Sequence, residues 1–391
     1  MPIPSNISIK ELLKLIPENE LNVLAQVTNV DYQVKTLYGR SMFYLLLYGL
    51  ATCEKTSLRG LEDIFNSKRF KILFSLDRDS TVKYNSLSDR LATMELAFFE
   101  KAYRLIYSAF SREFSSSESE SHKIVRVDST MVAETASKLA EGMAVGCKKN
   151  GKRQVKYTLC MEDLFPSSVQ VFTSQSELSE DKTIPQAILK VIDPSPNTVF
   201  VFDRGVSSRK TFADIDERNW NFVTRMKTNA RYHKLEELKL PESFLIEDMV
   251  VRSDELVELY DRNSKRLSNK FRLVKGLNAK GKEFFLLSNM LDVPVSEIID
   301  IYKKRWDIEV FFRFIKQELN FSHFMSTNIN GIKIILYMTL ILSMLILIYK
   351  KSNGIGYKTA KRRISMELDD LITIQIVIAC GGNPDLVFRG P

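Results

Sequence analysis

The chain has 391 residues, 45% of them hydrophobic and 27% charged, the make-up of a globular protein with room for two or three domains. Its net charge of +8 suits a polyanionic partner without requiring one. Cys53, Cys147, Cys160 and Cys380 stand at no zinc-finger spacing and the three histidines are isolated. The sequence therefore excludes a zinc module and a disulfide framework, and points to reduced thiols in a cytoplasm.

The N-terminus lacks the apolar core of a signal peptide. Ser8 and Glu11 look instead like a capping box that opens a helix. Residues 1–114 read as a helical domain, with periodic apolar residues through Leu12–Ile16, Phe43–Leu50 and Leu96–Phe110. Between the last two, Asn85 or Ser86 caps a short helix. That helix either carries Ser88, Arg90 and Thr93 into a DNA groove or is an ordinary core helix burying Leu87 and Leu91. Residues 115–121, all Ser and Glu, read as a linker.

Ile124, Val125 and Val127 then predict a short strand with Asp128 at its end, a position where a carboxylate is also a common turn residue. Asn150-Gly151 predicts a hairpin. Lys148, Lys149, Lys152, Arg153 and Lys156 make it basic, either as a solvated turn or as a phosphate contact. Strands at Val155–Met161 and Ser168–Thr173 and a helix at Thr183–Ile192 precede Thr198–Phe202, a continuous apolar run suited to a central buried strand. It ends at Asp203, and Gly205 permits a tight turn. A helix over Arg209–Arg218 and a strand over Asn221–Arg225 follow. Val250–Val251, Val257–Tyr260, Phe271–Val274 and Phe284–Leu287 predict strands within a β-rich insertion over residues 226–293.

Pro294, Ser296 and Glu297 mark the start of a helix that runs through Tyr302, Arg305, Glu309 and Lys316. At about 100° per residue these four side chains share an arc of roughly 60°. Ile301, Ile308, Phe311, Phe312, Ile315 and Leu319 form the neighbouring apolar face. By periodicity alone this is equally a surface helix with helix-spaced ion pairs. Residues 334–349 are strongly apolar but fall short of the roughly 20 residues of a membrane span, so a buried helix is expected. Leu371–Ala379, in the C-terminal tail, suits an interaction helix or a strand.

The spacing Tyr-x2-Arg-x3-Glu-x6-Lys over residues 302–316 resembles the signature of the DDE transposases of bacterial insertion sequences, specifically the insertion-sequence-four family. The Asp128-Ser-Thr and Asp203-Arg-Gly contexts are similar to that family's first two carboxylate motifs. The resemblance implies an α/β fold with a ribonuclease H-like catalytic core, residues 122–225 and 294–350, interrupted by the β-rich insertion 226–293. The helical N-terminal domain would contact DNA, and residues 351–391 would be a tail. It implies that Asp128, Asp203 and Glu309 are the catalytic, metal-binding carboxylates, while Tyr302, Arg305 and Lys316 serve the DNA and its phosphates. Trp306 either stabilises a flipped base or is buried as a brace for the helix.

The expected cofactor is a pair of Mg2+ ions, with Mn2+ able to substitute. Two such ions about 3.5–4 Å apart activate water and stabilise both reacting oxygens, and Mg2+ favours hard oxygen ligands. Without metal, three adjacent carboxylates raise one another's pKa values. The expected partners are double-stranded DNA, as terminal inverted repeats and target, and a second copy of the chain in the DNA complex, with no membrane. The expected activity is cleavage and strand transfer in a bacterial cytoplasm, at the nucleoid. Rival readings are a ribonuclease H-like nuclease or resolvase that cuts without joining, and a catalytically silent DNA-binding descendant.

Overall fold

The computed structural model describes all residues except 1–2, 115–121, 136–138, 140, 147–150, 192–196, 241–244, 247–248, 262 and 389–391. The expected linker and the Lys148–Asn150 part of the basic hairpin lie outside the described residues. The chain opens with α1 (Ile9–Lys14), α2 (Glu18–Val27), α3 (Gly39–Thr52), α4 (Leu58–Asn66), α5 (Lys68–Leu73), α6 (Tyr84–Thr93) and α7 (Leu96–Glu113). Then come β1 (Lys123–Thr135), β2 (Met143–Val145), β3 (Lys152–Glu162), β4 (Phe165–Phe172), α8 (Glu180–Ile188), β5 (Thr198–Phe202), α9 (Arg209–Asp216) and β6 (Asn221–Met226). β7 (Tyr232–Glu237), β8 (Leu245–Ile246), β9 (Met249–Tyr260), β10 (Arg266–Leu277) and β11 (Glu283–Ser288) lead to α10 (Val295–Lys303), α11 (Trp306–Glu318), α12 (Ile329–Ser352), α13 (Tyr357–Ala379) and α14 (Asp385–Phe388).

These elements fall into two compact units. One comprises Met1–Ser117, Val132–Gln154 and Arg313–Pro391, the other Glu118–Met131 and Val155–Phe312. In the first, α12 is the axis. It packs against α3, α6, α7 and α13, and 83% of its most apolar stretch is buried. Among the described residues it is the one helix long and apolar enough to cross a membrane, and here protein covers it. α1 starts with the expected capping box, Ser8 and Glu11 each accepting from the other's backbone N–H. In α6, Leu87 and Leu91 are fully buried and Arg90 donates to the carbonyls of Val30 and Leu37, so the packing fits the core-helix reading of that segment. The tail is helical as α13.

The second unit is built on a sheet in the order β3-β1-β5-β6-β11-β10-β9-β7, with β4 also paired to β3 and β8 to β9. β1, β5 and β6 run parallel; from β6 onward each neighbour is antiparallel. Parallel strands covered on both faces need continuous apolar sequence, and every residue of β5 is buried. Side chains alternate between the faces of a strand. Val125, Val127, Phe200 and Phe202 pack with Ile184 and Ala187 of α8 and Phe212 and Ile215 of α9. Ile124, Val199 and Val201 pack with Ile298, Ile299 and Ile301 of α10 on the other face. Each such burial contributes roughly 1.5–3 kcal/mol, and a one-residue slip would exchange the faces, so these sets fix the register.

Three expectations change. The strands of the 226–293 segment exist, but β11 hydrogen-bonds to β6, so the segment extends the core sheet. β1 continues to Thr135, which puts Asp128 inside a strand and not at its end. The single helix expected through residues 302–316 is two, α10 and α11. Between them the Arg305 N–H donates to the Tyr302 carbonyl and the Asp307 N–H to the Lys304 carbonyl. These i→i+3 bonds tighten the turn relative to an α-helix.

Candidate active site

The register of β1 on β5 sets the two aspartates. Lys123 pairs with Thr198 and Arg126 with Val201, an offset of 198 − 123 = 75. Asp128 and Asp203 have the same offset, 203 − 128 = 75. Asp203 is the first residue after β5, two residues past the last pair of that register, which if continued would put Asp128 opposite it. By alternation both belong to the face that α10 covers. α10 delivers Tyr302, whose hydroxyl donates to the Asp203 carboxylate at 3.2 Å. The Arg305 guanidinium lies 5.6 Å from the Tyr302 ring centre and pairs with Glu309 at 2.7 Å. Asp128 accepts from the Ser129 N–H at 2.7 Å.

Two further charged side chains stand here that sequence reasoning missed. Lys156, expected in a basic hairpin, is wholly buried on β3. Its Nζ donates to the Leu178 carbonyl at 2.9 Å, and its charge interacts with Glu180 and Asp128. Glu180 opens α8 behind the Ser179 cap. A Cβ on Gly205 would lie 1.4 Å from Glu180 Oε2, so this glycine serves a close approach. Asp181 accepts from the Ser207 N–H at 2.6 Å, the Ser207 hydroxyl at 2.8 Å and the Ser208 N–H at 2.7 Å. The first turn of α8 is thereby fastened to the loop after Asp203. No spacing in the sequence signals Glu180; its one mark is an acidic pair just after a capping serine.

Electrostatics tie these groups together. Burial pushes the Asp128 carboxyl up to about 6; the Glu180 and Glu309 carboxylates add to this, against the pull of the Ser129 N–H and Arg305. Glu180 is also raised, first by burial and then by Asp203 and Asp181, opposed by Lys156 and Arg305. Burial, helped by Asp203, pushes Tyr302 up to about 12, so its hydroxyl remains a donor. Burial lowers Lys156, and the neighbouring Glu180 and Asp128 carboxylates oppose that.

Four carboxylates thus face two cations, Lys156 and Arg305, a deficit of positive charge at hard oxygen donors, which is the chemistry a divalent ion suits. Among the described residues no three acidic, His or Cys side chains converge as a ready cage. Glu309 is engaged by Arg305 and Asp203 by Tyr302.

Asp128, Asp203, Tyr302, Arg305 and Glu309 therefore belong to one unit. Trp306 belongs to it too and is 52% exposed, which overturns its reading as a buried brace. Lys316 lies further along α11, in the first unit. Lys152 and Arg153 are also in the first unit, paired with Val145 and Ala144 of β2.

The family profile described as a transposase DDE domain matches residues 119–345. A probable transposase for insertion sequence element IS5377 from Geobacillus stearothermophilus is 23% identical over 321 residues, 82% of this chain and 78% of that protein. A putative transposase, y4zB, from Sinorhizobium fredii is 30% identical over 158 residues, 40% of this chain and 44% of its own. A putative transposase for insertion sequence element IS4SA from Synechocystis is 29% identical over 160 residues, 40% of this chain and 43% of that one. Among solved structures, the piggyBac transposase synaptic complex with hairpin DNA aligns with a TM-score of 0.49 at 10% identity, over 96% of this chain and 82% of that one, a likeness too low to assign the fold.

Proposed function

The chain belongs to the family of DDE-domain transposases, and from that premise we propose that Asp128, Asp203 and Glu309 are its catalytic carboxylates. The shared offset of 75 supports the reading, because it is the register of the parallel β1–β5 pair, with Asp128 and Asp203 each two residues past its last pairing. The parallel β1-β5-β6 arrangement with helices on both faces suits a ribonuclease H-like core. Asp128, Asp203 and Glu309 would hold two divalent cations, Mg2+ or Mn2+. Such ions supply an activated water and stabilise the attacking and leaving oxygens.

The chain's own residues do the rest. Tyr302 orients Asp203 through its hydrogen bond. Arg305 presents a planar fork to a phosphate. Trp306, exposed next to it, offers an aromatic face to an unstacked base. Lys316 and the basic residues Lys148, Lys149, Lys152 and Arg153 bind the DNA backbone. The substrate is double-stranded DNA, first the terminal inverted repeats and then the target, handled by a dimer of this chain.

The test is a plasmid carrying the gene with its native flanking DNA, incubated with the protein and Mg2+. The wild type is expected to nick at the flanks and join the freed ends. Asp128→Asn, Asp203→Asn and Glu309→Gln should each abolish both while DNA binding persists, since cations elsewhere carry it. Cleavage by Glu309→Gln would sink the assignment. Nicking without joining by the wild type would make the protein a nuclease, and binding alone would make it a silent descendant.

A further inference from the structure

Ile124, Arg126 and Asp128 project on the same face of β1, the face α10 covers. A guanidinium there is costly to bury unless its donors are used. Arg126 is only 7% exposed. Its Nε donates to the Lys304 carbonyl at 2.8 Å, its Nη1 to the Asp163 carbonyl at 3.2 Å, and its Nη2 pairs with Asp307 at 3.0 Å. Lys304 is the C-cap of α10, and Asp307 lies in the first turn of α11. Asp163, with φ of 48°, sits between β3 and β4. Sharp bends in helices have identifiable causes, one of which is a side chain inserted into the hydrogen-bond ladder. Arg126 is such a side chain, reaching in from a strand.

We propose that Arg126 is a positioning residue for the reaction. Two residues before Asp128, it holds the turn at Lys304–Arg305 against β1 and so sets where Arg305 and Glu309 stand relative to Asp128. The proposal rests on the assignment of Glu309 as a cation ligand. A lysine would keep the charge but could not engage three acceptors in one plane. Asp307, 55% exposed in its side chain, contributes a weaker share than the backbone carbonyls.

The test uses the full-length protein and Mn2+ alone as probe. Cation binding to the folded state stabilises it by RT ln(1 + [Mn2+]/Kd), so the Kd fitted to the rise in melting temperature, the midpoint of binding, reports affinity separately from stability. Nicking of the plasmid over the same Mn2+ range gives a second midpoint. A brace that only stabilises would lower the folded fraction and leave both midpoints in place. R126K is expected to move both midpoints upward about tenfold, and D307N in the same direction by less. Should R126K not fold, D307N at its exposed carboxylate still decides: its midpoints must rise. Unmoved midpoints in the folded variants overturn the proposal. E309Q is the reference. If it responds to Mn2+ like the wild type, the assignment of Glu309 itself falls, which is a different failure.

Discussion

Asp128→Asn should make the cation-free protein more stable while silencing it. The Asp128 carboxyl is raised from 3.8 to about 6, chiefly by burial. At about 1.4 kcal/mol per pKa unit, the folded protein bears about 3 kcal/mol for keeping this group charged. The charged form is the disfavoured one in the fold. The penalty is therefore absent below pH 3.8, grows as pH rises through the interval up to about 6, and is complete above it. Asparagine keeps the shape and can still accept the Ser129 N–H, but carries no charge. For a cooperative unit of this size, at roughly 2–4 °C per kcal/mol, the gain at pH 8 is on the order of 6–12 °C. At pH 5 about half remains. Calorimetric unfolding in EDTA at both pH values, wild type against variant, measures it. Added Mg2+ should then close the gap by stabilising mainly the wild type. A variant no more stable than the wild type at pH 8, or a gain that does not shrink at pH 5, would refute the account of a buried, crowded carboxylate.

Trp306→Ala should change stability by no more than about 0.5 kcal/mol, since the side chain is half exposed, yet reduce strand transfer on plasmid DNA; undiminished joining would remove Trp306 from the DNA interface. Gly205→Ala places a Cβ where Glu180 Oε2 lies, so the Glu180 carboxylate must swing out of its place, costing about 1 kcal/mol by calorimetry. Shortening Glu180 to Ala in the same chain should recover part of that loss, and no recovery would mean that another contact is responsible. Replacing Lys152 and Arg153 with Ala should flatten the dependence of DNA affinity on salt by up to about 0.9 per lost phosphate contact; an unchanged slope would leave that strand as ordinary surface.

Much of the site was legible because it depends on local pattern. Val199-Phe-Val-Phe could only be a strand buried on both faces, and Asp128 and Asp203 keep the 75-residue offset of the β1–β5 register, although β1 runs on past Asp128. The signature helix was legible as residues but not as geometry. Nothing local in Lys303-Lys-Arg-Trp-Asp forbids a continuous helix; the contact at the turn, Arg126 donating to the Lys304 carbonyl, comes from 178 residues earlier in the chain. Lys156 was misread for a related reason. Beside Asn150-Gly151 a lysine looks like part of a solvated turn, but β3 is a covered strand, and carboxylates from separate elements supply the countercharge. Glu180 reaches the site only because Gly205 leaves room and Asp181 fastens the helix.

Arg305 shows what the assembled site still lacks. Its guanidinium pairs with Glu309, but its Nε is buried with no acceptor among the described residues. An unsatisfied buried donor costs about 1–3 kcal/mol, and burial already raises the neighbouring Asp128 and Glu180 carboxyls. A protein selected for stability alone would remove such a donor or pair it. On the proposed assignment the donor would become favourable when an anionic oxygen, that of a DNA phosphate, enters next to Arg305. Two groups of the proposed site are thus strained: Asp128, raised by burial, and Arg305, one acceptor short among the described residues. On the proposed assignment a cation at the carboxylates and a phosphate at the guanidinium would relieve both strains, so stability given up in the free protein would return as binding energy at that site.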